Sequence, residues 1–144
     1  MRLWHKDLIP VLPRQQLLGQ WRECCLIAKN IKEKGTPNHL LVNRIMDYPI
    51  AHFWKYGYLI REEMFIRGYK CDFYRFDQWF DRTWRITTPD INDLFSDWHT
   101  DRYMNQCLMN LQEKFDCDGI GINEYEKIIA FQNDWLERFE NGRF

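Results

Sequence analysis

The residues best suited to chemistry lie in the opening segment MRLWHKDLIPVLPRQQLLGQWRECC, which starts with Met1-Arg2 and holds Arg22-Glu23 near its end. A free α-amine titrates near pH 8, well below a lysine, so a useful fraction is unprotonated at neutral pH and can attack an electrophilic carbon. If the fold returns Met1 to Glu23, an amine stands beside a carboxylate, the minimal kit for Schiff-base chemistry. Glu23 would then accept hydrogen bonds from the amine, stabilise cationic intermediates and move protons. Arg2 is too bulky for ordinary removal of an initiator methionine, so Met1 is expected to be the reacting terminus.

Other candidate motifs reduce to simpler readings. Asp116-Cys117-Asp118-Gly119-Ile120-Gly121 resembles a calcium loop only at its start, because Ile120 falls where an oxygen ligand belongs and Lys127 where the bidentate glutamate is required. A turn between two helices is expected there. The glycines lack the Gly-Lys-Ser/Thr ending of a phosphate loop. Four scattered histidines (His5, His39, His52, His99) and five cysteines without a Cys-x-x-Cys pair give no zinc spacing and no disulfide framework, so no metal site and no cofactor are expected. His39 and His99 are the better-placed histidines for catalysis, yet capping or packing accounts for each more simply. Glu62 and Glu63 are adjacent and point about 100° apart on a helix, so they cannot grip one atom together.

The elements that must position Met1 and Glu23 are helical. Leu17, Leu18, Trp21, Cys24, Cys25, Ala28 and Ile31 recur at spacings of three and four, predicting an amphipathic helix over 13–34 closed by Gly35. Residues 1–12 lack periodicity, and Pro10 and Pro13 hold them out of a helix interior. A short helical segment is predicted around Leu40 to Met46, then a helix from Pro49 to a glycine cap at Gly68. Residues 72–86 keep helix spacing through Phe73, Phe76, Trp79 and Phe80. Thr88-Pro89-Asp90 signals a helix start before Ile91, Leu94 and Phe95. Residues 98–116 form another helix, and Asn123 caps a last one running to Phe139. The expected fold is all-α, a compact single-domain bundle of about five or six helices spanning residues 1–144.

Composition agrees with a folded chain: 45% of the 144 residues are hydrophobic and 17% aromatic, far above a disordered composition. No apolar stretch is long enough for a membrane span and no signal-peptide pattern opens the chain, so a cytoplasmic protein, a monomer without membrane association, is expected. The net charge of −1 hides an asymmetry. Residues 1–70 carry 12 Lys+Arg against 6 Asp+Glu, and residues 71–144 carry 8 against 15. The first half alone could present a basic face to nucleic acid, although ordinary solvated charge would give the same count.

Gln15, Leu17, Trp21, Arg22 and Glu23 together resemble the first helix of the pyrimidine-dimer DNA glycosylases, the small phage-type, dimer-specific repair enzymes, with their pattern Q-x-L-x-x-x-aromatic-R-E. The likeness continues more faintly through residues 36–69 and at Leu111 to Lys114. The resemblance implies an all-α enzyme that excises a damaged pyrimidine and nicks the abasic strand, its partner being double-stranded DNA with a damaged base or an abasic site. It implies the Met1 amine as nucleophile at sugar C1′, Glu23 as its catalytic carboxylate, and Arg2, Arg14, Gln15, Gln16, Arg22 and Lys114 as DNA-binding residues. Gln16 stands for a family histidine, Leu26 for a phosphate-binding arginine and Asn110 for another. These departures leave two alternatives open: a glycosylase for a different damaged or modified base, and a catalytically silent nucleic-acid or protein-binding module of the same fold.

Overall fold

A computed structural model describes residues 1–81 and 87–140, with side chains up to residue 138. The described residues are all-helical, with no strands. A 3₁₀ helix (Lys6–Val11) precedes α1 (Arg14–Lys34), a second 3₁₀ helix (Asn43–Asp47) leads into α2 (Ile50–Ile66), and α3 (Tyr74–Asp77), α4 (Asp101–Asp116) and α5 (Ile122–Glu140) follow. No helix among these residues is long and apolar enough to cross a membrane.

The long helices start and stop where local chemistry requires. Pro13 and Pro49, each with φ fixed near its helical value, sit at the N-caps of α1 and α2. Gly35 takes φ 75° and returns its N–H to the Ile31 carbonyl, closing α1. Gly68 takes φ 78° after α2, and the Tyr69 N–H closes the turn on the Met64 carbonyl at 2.8 Å. Thr100 caps α4 by accepting from the Tyr103 N–H. The Asp116-to-Gly121 segment is the expected turn, drawn tight by a 2.7 Å bond from the Gly119 N–H to the Lys114 carbonyl.

The core joins the inner faces of α1 and α2 to the N-terminal segment and the aromatic side chains that follow α2. Phe76 is fully buried and its ring lies where a side chain on Gly57 would go, so a Cβ at position 57 would overlap it. Asp77 accepts from Arg61 at 2.9 Å and from the Trp54 indole at 3.0 Å. The Arg61 guanidinium also lies over the Trp54, Tyr58 and Phe73 rings. Burying this charge is tolerable because a carboxylate and three π-faces replace its water.

Three segments depart from expectation. Residues 6–11 form a 3₁₀ helix that contains Pro10, stabilised from outside: the Arg67 guanidinium, bonded to Glu63 at 2.8 Å, donates to the Leu12 and Pro10 carbonyls. The helix expected over 72–86 contracts to the single turn α3, and 82–86 lie outside the described residues. The helix expected to start at Thr88-Pro89-Asp90 is a set of turns over 91–98. Phe95, fully buried, takes φ 50°, off the helical path. The buried Lys6 ammonium draws the Asn92 and Leu94 carbonyls to itself at 3.2 and 2.8 Å, and a continuous helix would have used those carbonyls internally.

His5 and His99 tie this turn to the chain start. His99 Nδ1 accepts from the Lys6 N–H at 2.9 Å, and the His99 carbonyl accepts from His5 Nε2 at 3.0 Å. Burial lowers the pKa of both rings, most strongly at His99, where His5, Lys6 and Arg44 add like charge. Both are therefore neutral in the fold. His99 Nε2 is buried without a hydrogen-bond partner among the described residues, between the rings of Tyr56, Trp98 and Tyr103.

Two outcomes follow from this packing. Gly57→Ala should lower unfolding free energy by about 1–3 kcal/mol in urea denaturation, because the added methyl overlaps the fully buried Phe76 ring and forces it to shift. Histidines held neutral by burial contribute stability that is full above their unfolded pKa, near 6.5, and is lost as pH falls through the lower folded values. The thermal midpoint should accordingly drop below about pH 6.5, and His99→Gln should flatten that decline. An unchanged pH profile in His99→Gln would show that this pair does not carry the acid sensitivity.

Candidate active site

Residues 2–4 have no regular structure of their own, and side chains from three helices take up their backbone polar groups. Gln20 on α1 is 1% exposed, and its amide does most of this. Its Nε2 donates to the Arg2 carbonyl at 2.9 Å and to Glu23 Oε2 at 3.3 Å, while its Oε1 accepts from the Trp4 N–H at 2.8 Å. One primary amide thereby serves as acceptor and double donor, using the full fork of the glutamine side chain. From α2, Tyr56 Oη lies 2.7 Å from the Trp4 carbonyl and 3.0 Å from Gln20 Oε1. From α4, the Tyr103 hydroxyl donates to the Leu3 carbonyl. Burial pushes both phenols well above their ordinary pKa, so both remain protonated donors.

Helical periodicity gives α1 its role here. Gln16, Gln20 and Glu23 recur at four and three residues, so they share one face, and Gln15, Gly19 and Arg22 repeat the same spacing beside them. Glu23 is half-buried; Met1 is half-buried and packs against the core. The peptide one residue from the amine and the Glu23 carboxylate hang on the same nitrogen of Gln20. Among the described residues Met1 and Glu23 are not an ion pair within 4.0 Å. Catalytic hydrogen bonds often tighten only when substrate is bound.

The remaining sequence-derived residues divide into a cluster and an outlier. Arg2 lies over the Trp4 ring and donates to Asn110 Oδ1 at 3.1 Å, which brings α4 to the chain start. Lys114 follows Asn110 by one turn of α4 and is exposed. Arg22 is exposed beside Gly19, where a Cβ would lie 3.8 Å from Arg22 Nη2. Gln15 is exposed, and Gln16 is half-buried with its Oε1 lacking a hydrogen-bond partner among the described residues. Arg14 stands apart. Nine residues before Glu23, it is about 13 Å away along the helix axis. Its N–H bonds Glu124 at 2.6 Å and its guanidinium lies over Tyr69.

A cleft of about 610 Å³ opens beside Arg2, lined by Arg44, Trp98, Arg102, Tyr103, Gln106 and Asn110 among others. Three arginines face it against the single carboxylate of Asp97, so its electrostatics favour an anion. Gln20, Tyr56, Tyr103, Arg44 and Arg102 had not been expected as site residues. Gln20 alone carried a signal: a polar residue within a stripe of buried positions, three residues before Glu23. Asn110, expected only as a lost arginine, instead orients Arg2.

The model of the family described as pyrimidine dimer DNA glycosylase matches residues 1–75, a span that contains Met1, Arg2, Gln20, Glu23 and Tyr56. No curated protein and no solved structure matches the chain. The match covers more than half of the 144 residues, and with the chain start fastened to a carboxylate-bearing first helix, the chain belongs to the pyrimidine dimer DNA glycosylase family.

Proposed function

We infer that this protein excises pyrimidine dimers and cleaves the resulting abasic strand through an imine at the Met1 α-amine. The observation that carries the reading is the Gln20 amide, which bonds the Arg2 carbonyl and the Glu23 carboxylate from one nitrogen. The deprotonated amine attacks C1′ of the damaged nucleotide. The C1′–N bond breaks, and the base leaves with the electron pair and is protonated. Breaking the C1′–O4′ bond then opens the sugar and gives a protonated imine at C1′. Glu23 stabilises that cation and accepts a proton from C2′, and the C3′ phosphate leaves as the new double bond forms. Water hydrolyses the imine and restores the amine.

Arg2 and Arg22 would hold phosphates beside the lesion, with Gln15, Gln16 and Lys114 completing the DNA-facing side. Arg14 would contact DNA only at the far end of α1. Asn110 and the half-exposed Leu26 supply no charge where the family carries arginines, which favours a second reading in which another damaged base is the substrate. Excision across a lesion panel separates the two readings; preference for dimers rejects the second.

Borohydride should trap a covalent protein–DNA adduct on duplexes bearing a dimer or an abasic site, and acetylation of the α-amine should abolish it. Glu23→Gln should lower strand cleavage by at least about 100-fold, the scale of a lost general base. An adduct undiminished by terminal acetylation would overturn the assignment of the nucleophile. Full cleavage by Glu23→Gln would remove the carboxylate from the mechanism.

A further inference from the structure

The cleft beside Arg2 has a rim that the imine chemistry does not use. Leu40 is 84% exposed and Leu41 51%, and both line the cleft, on the connection between α1 and the second 3₁₀ helix. Two large apolar side chains in water would ordinarily fold inward or be covered. Here the turn that bears them is fixed. Asn38 takes φ 59°, the Asn43 N–H bonds the His39 carbonyl at 2.9 Å, and the His39 N–H bonds Asn43 Oδ1 at 3.1 Å. His39 Nδ1 accepts from the Leu41 N–H, and Val42 and Ile45 are buried immediately behind. The leucines are held outward on a braced turn, so little ordering cost remains when something takes them up.

Their neighbours say what that partner is. Arg44 is exposed, lies over the Trp98 ring at 5.8 Å from its centroid and donates to the Asp97 carbonyl at 3.3 Å, so its guanidinium is set in place. Arg102, also exposed, lines the cleft from the first turn of α4. Apolar residues flanked by two cations, one of them held in place, match a duplex, whose base stack is apolar and whose edges carry phosphates.

We propose that Leu40 and Leu41 form a wedge that enters the base stack at the lesion, with Arg44 and Arg102 gripping the phosphates on either side. The proposal rests on the reading of the protein as a lesion glycosylase and assigns it a duplex-opening element. A wedge of this kind selects damaged sites, because unstacking costs least where a lesion has already weakened the stack. Arg2 lies in the same cleft, so opening the duplex at the leucines delivers the sugar to the residue next to the proposed nucleophile.

The test compares wild type with the Leu40→Ala/Leu41→Ala double variant on two substrates: a dimer-containing duplex and a single-stranded abasic oligonucleotide, which has no stack to open. The ratio of duplex excision to single-strand cleavage should fall at least about tenfold in the double variant and recover with Leu40→Met/Leu41→Met. In parallel, 2-aminopurine beside the dimer should brighten on binding wild type and stay quenched with the double variant. An unchanged ratio, or equal brightening with both proteins, overturns the wedge. If wild type cleaves neither substrate, the glycosylase reading fails, and the fluorescence still decides whether the leucines open the duplex.

Discussion

The imine chemistry proposed for this molecule depends on one buried side-chain amide. Gln20 presents its carbonyl to Trp4 and Tyr56 and its NH₂ to Arg2 and Glu23, so a single group satisfies the chain start and orients the carboxylate. A buried amide is costly unless its hydrogen-bonding capacity is met, and here four partners meet it. The same requirement explains why α1, α2 and α4 converge at residues 2–4. An irregular segment cannot bury its peptide groups without partners, and Gln20, Tyr56 and Tyr103 supply them. A terminus, ordinarily the loosest part of a chain, is thereby tied down on three sides.

Electrostatics add direction to this frame. The protein is close to neutral overall, yet Arg2, Arg44 and Arg102 meet in one cleft although they are far apart in sequence. A polyanion responds to that local field rather than to the chain total. Asn110 illustrates a division of labour: it supplies no charge of its own but holds the Arg2 guanidinium toward the cleft at 3.1 Å. Two of the side chains organising the chain start, Tyr103 and Asn110, lie on α4, outside the residues matched by the family model. The C-terminal half thus contributes to the site through position.

What the sequence revealed was what repeats locally. The apolar stripes of α1, α2, α4 and α5, the glycine stops at Gly35 and Gly68 and the turn after Asp116 all follow from three- and four-residue spacing or from single-residue backbone preferences. Arg22 and Glu23 stand out through the pattern of the first helix, and Met1 and Arg2 enter as proposed site residues only through the resemblance that pattern carries. Features set by distant partners were not legible. Gln20 reads as a flaw in an apolar stripe until Arg2, Trp4 and Tyr56 are placed around it. The turns at 91–98 look helical because nothing nearby announces that Lys6, more than eighty residues earlier, will take their carbonyls. Leu40 and Leu41 were expected only as part of a short helical segment, and nothing in their own spacing announces the braced turn that holds them outward.

The central claim is that Gln20 holds the reacting amine in register with Glu23, and imine formation by Gln20→Met on a preformed abasic site tests it most directly. Methionine preserves the size of the side chain and removes every hydrogen bond it makes, while circular dichroism and a thermal melt establish that the variant is folded. The account predicts that a folded Gln20→Met protein forms the borohydride-trapped adduct about 100-fold more slowly than wild type, the scale expected when a reacting group is misplaced by an ångström. A folded variant that forms the adduct at the wild-type rate would contradict it.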